Sequence, residues 1–244
     1  MKNFILLFLS IHLIACNSDD SMDEPNSHLE GNLEISSSKD LESPKIKAYE
    51  SISGNLIIKS TYDIENLNSL QNLKQVGGIF IKGNQNLKSL SGLENIQKIA
   101  FLEIENNPQL ASLNGLENLI EISRDFIIKN NDDLINLNAL NKLTKIGNQF
   151  FLFDNLSLTT LDGLDNLKES DQLLITNNIN LTNINALGGI YSSSDIRIDS
   201  NDSLGDFCAL THFAQENSES IYFIARFNKY NPTLEDLINN DCSI

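Results

Sequence analysis

The sequence has no tryptophan, three histidines and three cysteines among its 244 residues. Its 17 lysines and arginines stand against 33 aspartates and glutamates, a formal net charge of −16. Each scarcity removes a class of function. Nucleic acid and anionic membrane surfaces are recognised through basic patches, which so acidic a chain disfavours. The lack of Trp and an aromatic content of 7% argue against an aromatic-lined ligand cavity. His12 falls in the leader described below, and His28 and His212 alone are too few for a histidine-based metal or catalytic centre. What the chain does have is ordinary hydrophobic content, 41%, enough to bury a core.

The N-terminus reads as an address. Lys2 is followed by an apolar stretch from Phe4 to Ile14, broken only by Ser10 and His12. That is the size of a secretory h-region and too short to span a bilayer, which takes about 20 residues. It ends Leu13-Ile14-Ala15-Cys16, which resembles a bacterial lipobox. The resemblance implies that residues 1–15 are a lipoprotein signal peptide and that Cys16 is lipidated; the other reading is an ordinary signal peptide with a stray cysteine. Stable anchoring needs more than one acyl chain, and the lipoprotein modification supplies several. Residues 16–30 begin with Asp19, Asp20, Asp23 and Glu24 and little to bury, as in a flexible acidic tether. The stretch is similar to the acidic export signal behind the lipidated cysteine in surface lipoproteins of the Bacteroidota type. That similarity implies an outer-membrane lipoprotein exposed at the surface, whereas a plain spacer would leave it on the periplasmic face. Asp20-Ser21-Met22 and Asp202-Ser203-Leu204 look like the short O-glycosylation acceptor of the same bacteria.

The remainder, 31–244, repeats itself. Ile79 and Ile81 are followed by Asn84 and then by Leu87, Leu90, Leu93, Ile96 and Ile99; the same series restarts at Leu102, Phe126, Phe150, Leu173 and Ile196. Asparagine recurs at Asn84, Asn107, Asn131, Asn155, Asn178 and Asn201. Leu56-Ile58 and Leu33-Ile35 continue the period upstream without it. Alternation such as Leu102-Glu103-Ile104 is the signature of a strand. An apolar residue at every third position does not make an amphipathic α-helix and suits short extended or 3₁₀ segments at the corners of a coil. One coil cannot bury its own leucines, but stacked coils bury a continuous column. The expectation is an all-β, right-handed parallel β-helix or leucine-rich-repeat-like solenoid of about nine coils of roughly 23–24 residues. The asparagine column is read as a structural ladder, since a side-chain amide offers both donors and an acceptor at a tight bend.

Gly77-Gly78-Ile79-Phe80-Ile81, then Asn84, then Leu90-Ser91-Gly92-Leu93-Glu94-Asn95 is similar to the receptor L-domain family. Gly-Leu-Glu-Asn recurs at Gly115 to Asn118, and Gly-Leu-Asp-Asn at Gly163 to Asn166. The resemblance implies a leucine-rich-repeat-like β-helix acting as a binding module; the cysteine-rich module and transmembrane helix of a full receptor are missing from the sequence. Cys208 and Cys242 are the cysteines left to the folded part, and an even count in a secreted chain favours a disulfide over two free thiols. Asn231-Pro232-Thr233 signals a short C-terminal capping helix with Pro232 at its first position and Leu234, Leu237 and Ile238 on one side.

An enzyme would need convergent acids. The strand-face candidates are Glu103, Glu105, Asp125, Asp195 and Asp199, while Lys82, Glu105 and Lys129 read as a charge ladder between strands. The acid-rich turns Asn130 to Asp133 and Asp199 to Asp202 lack a fixed calcium-ligand spacing. No catalytic set, metal or cofactor is expected.

If Leu102 and Ile104 point inward, Glu103 points out. The same register gives an outward column of Glu34, Ile57, Phe80, Glu103, Ile127, Phe151, Leu174 and Arg197, with Phe223 extending it and Phe153 beside Phe151. Apolar residues dominate it, where solvated strands show Thr, Lys or Glu. Three readings stand: a partner-binding face comprising Ile57, Phe80, Glu103, Ile127, Phe151, Phe153, Leu174 and Arg197; a face covered by another segment or a second copy; or β-propensity without a role. The expected function is a lipid-anchored, non-catalytic module that binds a protein or glycan at the cell surface. The alternative is a structural or self-associating surface protein. Membrane contact would be through the lipid alone.

Overall fold

Alternation of apolar and polar residues builds one short strand per repeat. The computed structural model describes residues 27–219 and 221–244, so the leader, Cys16 and most of the acidic tether lie outside the described residues. The strands are β1 (His28–Leu29), β2 (Leu33–Ile35), β3 (Ser51–Ile52), β4 (Asn55–Lys59), β5 (Gly78–Lys82), β6 (Lys98–Ile99) and β7 (Phe101–Glu105). They continue as β8 (Glu121–Ile122), β9 (Phe126–Lys129), β10 (Lys145–Phe153), β11 (Glu169–Thr176), β12 (Asp195–Asp199) and β13 (Tyr222–Arg226). One sheet runs β13-β12-β11-β10-β9-β7-β5-β4-β2, each strand parallel to its neighbour. Equivalent residues pair: Ile79 with Leu102, Leu102 with Phe126, Phe126 with Phe150. A second, shorter ladder joins β6, β8 and β10 at another corner. β1 pairs with β3, so strand pairing begins inside the stretch read as tether.

The third-position leucines form the opposite walls. Leu87, Leu90, Leu93 and Ile96 are fully buried, as are Leu110, Leu116, Leu119 and Ile122. Burying one such side chain is worth about 1.5–3 kcal/mol, and no repeat does so without the next one stacked on it. Short 3₁₀ turns at Asn68–Leu70, Asn138–Leu140, Asn185–Gly189 and Cys208–Leu210 take some of the corners. The result is a mostly-β, solenoid-like fold around one apolar column.

The sequence predicts a single terminal helix; among the described residues there are four short ones: α1 (Ser38–Glu42), α2 (Pro44–Ala48), α3 (Thr211–Asn217) and α4 (Leu234–Ile238). The first two have local causes. Ser37 and Asp40 form a capping box at α1, and Pro44 occupies the first turn of α2. α3 buries Phe213 and Ala214 against the last corner. At α4 the cap is Thr233, whose Oγ1 accepts the Asp236 amide at 3.1 Å while Asp236 accepts the Thr233 amide at 2.7 Å. Pro232 therefore precedes the cap instead of opening the helix. Leu237 is buried, and Leu234 and Ile238 pack partly against the core. Cys208 and Cys242 are disulfide-bonded with Cα atoms 4.8 Å apart, tying the chain end to the last corner. Among the described residues no helix is long and apolar enough to cross a membrane.

Candidate functional site

Two polar motifs recur along the chain, and the structure gives both of them bonds within the fold. Each ladder asparagine is buried. The Asn84 amide nitrogen donates to Asn107 Oδ1 at 2.9 Å, and Asn107 to Asn131 Oδ1 at 3.1 Å. Each backbone N–H donates to the same acceptor, at 3.0 Å for Asn84 and 3.2 Å for Asn107. The second amide hydrogen serves strand-end carbonyls, such as Ile81 O for Asn107. Both donors and the acceptor are thus used, leaving nothing for a ligand. The row extends beyond the six residues read from the sequence. Thr61 begins it with its hydroxyl on Asn84 Oδ1, Asn228 continues it by accepting from Asn201 at 3.1 Å, and Asn231 closes it, its Oδ1 accepting from the Asn228 N–H at 2.8 Å and the Asn228 amide nitrogen at 3.2 Å. The residue before each ladder position has positive φ: Ser60, Gly83, Asn106, Asn130, Asp154, Asn177, Ser200 and Phe227. That left-handed step turns the chain off the strand and explains the Asn and Asp types there.

The Gly-Leu-Glu-Asn motif is a second stitch. Gly115 has φ +112°, and a side chain there would run into Leu90 O of the preceding coil. Its N–H donates to the Glu117 carboxylate at 2.9 Å, and Asn118 reaches back to Glu94 O at 2.8 Å. Gly92 and Gly163 repeat the arrangement with Glu94 and Asp165.

With those motifs absorbed, the outward strand face holds the candidate residues. Cross-strand pairing runs Glu34, Ile57, Phe80, Glu103, Ile127, Phe151, Leu174, Arg197. The next residue in line is Ile224, not Phe223, which pairs with Ile196 on the inward side. The correction has a simple cause: the last ladder step is 27 residues, and the earlier ones are 23 or 24.

The column is two apolar islands divided by charge. Ile57 and Phe80 are half-buried neighbours, joined by Phe101, whose ring centroid is 6.1 Å from that of Phe80. Gly78 makes this possible, because a Cβ there would sit about 3.1 Å from both phenylalanines. Phe101 was not among the sequence candidates; its signal was an aromatic residue two places before Glu103, on the same face. Glu103 then interrupts, held by Lys82 at 2.6 Å. Lys82 also lies 3.8 Å from Glu105, which Lys129 approaches at 3.9 Å, so these alternating charges do form a ladder. The second island is Ile127, Phe151, Leu174 and Phe153, the two phenylalanine rings edge-on at 5.5 Å. A dimple of about 110 Å³ opens between Phe151, Gln172, Leu174, Asp195 and Arg197.

Several charges around the islands are matched in place, and Arg124 lies over the Phe101 ring at 5.6 Å. Arg197 grips Asp195 with two bonds of 2.8 and 2.9 Å and lies over the Tyr222 ring; its pKa is raised chiefly by the Asp195 hydrogen bond. Arg226 pairs with Asp199 at 3.1 Å, and Lys59 with Glu34 at 3.1 Å. Asp125 accepts from Asn148 at 2.7 Å. The five acids considered for catalysis are thus each engaged with a cation or an amide and do not converge. The acid-rich turns give Asn131 and Asn201 to the buried ladder. Among the described residues no group of three or more His, Cys, Asp or Glu is placed to hold a metal ion.

No curated protein and no solved structure matches the chain. Residues 27–113, from β1 into the fourth strand-bearing repeat, match the family model described as the receptor L domain, and over that segment the chain is receptor L-domain-like.

Proposed function

We propose that this chain is a cell-surface, lipid-anchored, non-catalytic binding module. In this reading residues 1–15 are a signal peptide, Cys16 carries the lipid and the acidic stretch behind it is a tether. The rest is a right-handed solenoid of about nine coils. Its strand face recognises a protein or glycan partner. One observation carries the reading: an outward strand face bears half-buried Ile57, Phe80, Ile127, Phe151 and Leu174 where solvated strands carry polar residues. The receptor L-domain match supports a binding role, and the pairing of each strand-face acid supports a non-catalytic one. Apolar islands with a charged rim have the anatomy of a recognition surface, in which aromatic residues carry much of the energy.

The test is a pull-down of neighbouring-cell or host surface material with the full chain and with the Phe80→Ser, Phe151→Ser double variant. Binding should fall by about tenfold or more, with the thermal transition retained because neither ring fills the core. Unchanged capture by a folded double variant would move the site off this face. The anchor has its own check: clickable palmitate should label the wild type and not Cys16→Ala. A structural, self-associating role is the second reading, and the open edge of β13 favours it.

A further inference from the structure

β13 differs from every other strand of the main sheet. It ends the sheet, and β12 is its one substantial neighbour among the described residues. Its inward side chains Phe223 and Ala225 are only half-buried, whereas Ile196 and Ile198 of β12 are fully buried. The Tyr222 N–H donates to Ser194 O at 3.0 Å, and Arg226 O accepts from Ser200 N–H at 3.0 Å. In a parallel ladder main-chain groups turn to alternate sides along the strand. Tyr222, Ile224 and Arg226 therefore face β12, and Phe223 and Ala225 present their N–H and C=O groups to the open side.

Natural edges are blunted with proline, lysine, bulges or extreme shortness. The opposite edge follows that rule: β2 has three residues, carries Glu34 and leads at once into α1. The segment Ile221 to Phe227 has no Pro, no Gly, and Arg226 as its single charge, already matched by Asp199. From Ile221 to Thr233 there is no acid at all, in a chain of net charge −16. Two copies can meet along this edge without setting carboxylate against carboxylate.

We propose that β13 pairs antiparallel with β13 of a second copy about a two-fold axis at Ile224, leaving both strand faces free. The backbone restricts the register and the side chains choose it. Phe223 falls opposite Ala225 of the second copy, a large residue against a small one. Both have their main-chain groups turned outward, so each such pair exchanges two hydrogen bonds. Ile224 meets its own counterpart as a non-hydrogen-bonded pair, with Cβ atoms about 4.5–5.5 Å apart. Tyr222 meets Arg226 of the second copy, an aromatic ring against a guanidinium. A self-complementary patch of this kind closes as a dimer and does not propagate. Because the two copies carry like net charge, added salt strengthens the pairing.

The full chain with Ile224→Cys in a Cys16→Ala background tests this, since the remaining cysteines are bonded to each other. Mild oxidation should give a covalent dimer on a non-reducing gel, and Ile57→Cys in the same background should stay monomeric. Adding Ala225→Pro removes an N–H that faces the second copy and none that faces β12, so dimer yield should fall by about tenfold with the thermal transition kept. Independently, sedimentation velocity of the Cys16→Ala chain should shift toward dimer as salt rises from about 0.05 to 0.5 M. No covalent dimer from Ile224→Cys, or an Ala225→Pro chain that dimerises as before, overturns the proposal. A chain that sediments as a monomer at every salt concentration overturns it as well.

Discussion

The coils between Asn84 and Asn201 and the coil that follows them use the same parts with different completeness. In the central coils the inward residues are wholly buried, the asparagine amide is bonded on all sides, and each strand has a neighbour on both edges. The last coil is longer, takes in α3, and leaves Phe223 and Ala225 half-covered, with no strand beyond them among the described residues. A repeat therefore owes its stability to its neighbours more than to its own sequence. Where the neighbour is lacking, other devices appear: a disulfide and short helices capped by carboxylates.

The largest test of that contrast removes an inward ring from each region. Phe150→Ala should cost about 3–5 kcal/mol, with Leu116→Ala at about 2–5 kcal/mol. Phe223→Ala, starting half-exposed, should cost less than about 2 kcal/mol. Equal denaturant midpoints for the Phe150 and Phe223 variants would mean that the last coil is as closed as the centre. Next in size is the bridge. Replacing Cys208 and Cys242 together by serine frees a loop of 34 residues, which chain entropy values at about 3–4 kcal/mol, with engineered removals reading about 2–5. Amide exchange in this variant should quicken around α4 before it does around Leu116.

Third, Asn131→Ala leaves backbone groups without partners in a dry interior and should cost about 1–3 kcal/mol. Asn228→Ala should cost less, because it lies in the last coil, 9% exposed, with only the nearby Asn231 bonded on its far flank. Urea midpoints of the two variants compare them directly. The smallest effect is on acid behaviour. The central ladder is made of amides and does not titrate. The helices at the two ends are held by carboxylates: Asp40 is kept below its ordinary pKa first by the Ser36 amide, Asp63 by the Ser38 hydroxyl and Asp236 by the Thr233 hydroxyl. A lowered folded pKa means stabilisation that is complete above the unfolded value of about 3.9 and lost as pH falls through the lower folded one. Protection of the Ser37 and Thr233 amides, the intrinsic exchange rate at each pH divided by the observed one, should fall across that window while protection of the Asn131 amide stays constant. Uniform loosening would show that the ends are not held by these groups.

The strand face and the asparagine row were legible because a period of two and a repeat of 23 or 24 residues place like residues side by side. The partners Thr61 and Asn228 were not, since one is a different residue type and the other sits after a longer step. Phe101 escaped for another reason: it lies in a neighbouring outward column whose other members, such as Gly78 and Asp125, do not repeat. The same longer step displaced Phe223 from the column and put Ile224 there. The identity of a partner has no comparable signature in one chain.

By itself the sequence determined which leucines and isoleucines of the regular repeats are inward, because such a residue at every repeat position has a single low-energy place to go, and that Cys208 and Cys242 are the two cysteines of the repeat region. Only the tertiary structure decided that Glu103 and Lys82 split the apolar face, that Gly78 makes room for two phenylalanine rings, and that β13 is left with an open edge. Those outcomes depend on side chains 21 to 27 residues apart meeting across strands, and on the length of one inserted helix. Periodicity constrains positions within a repeat; it does not say where the stacking of repeats comes to an end.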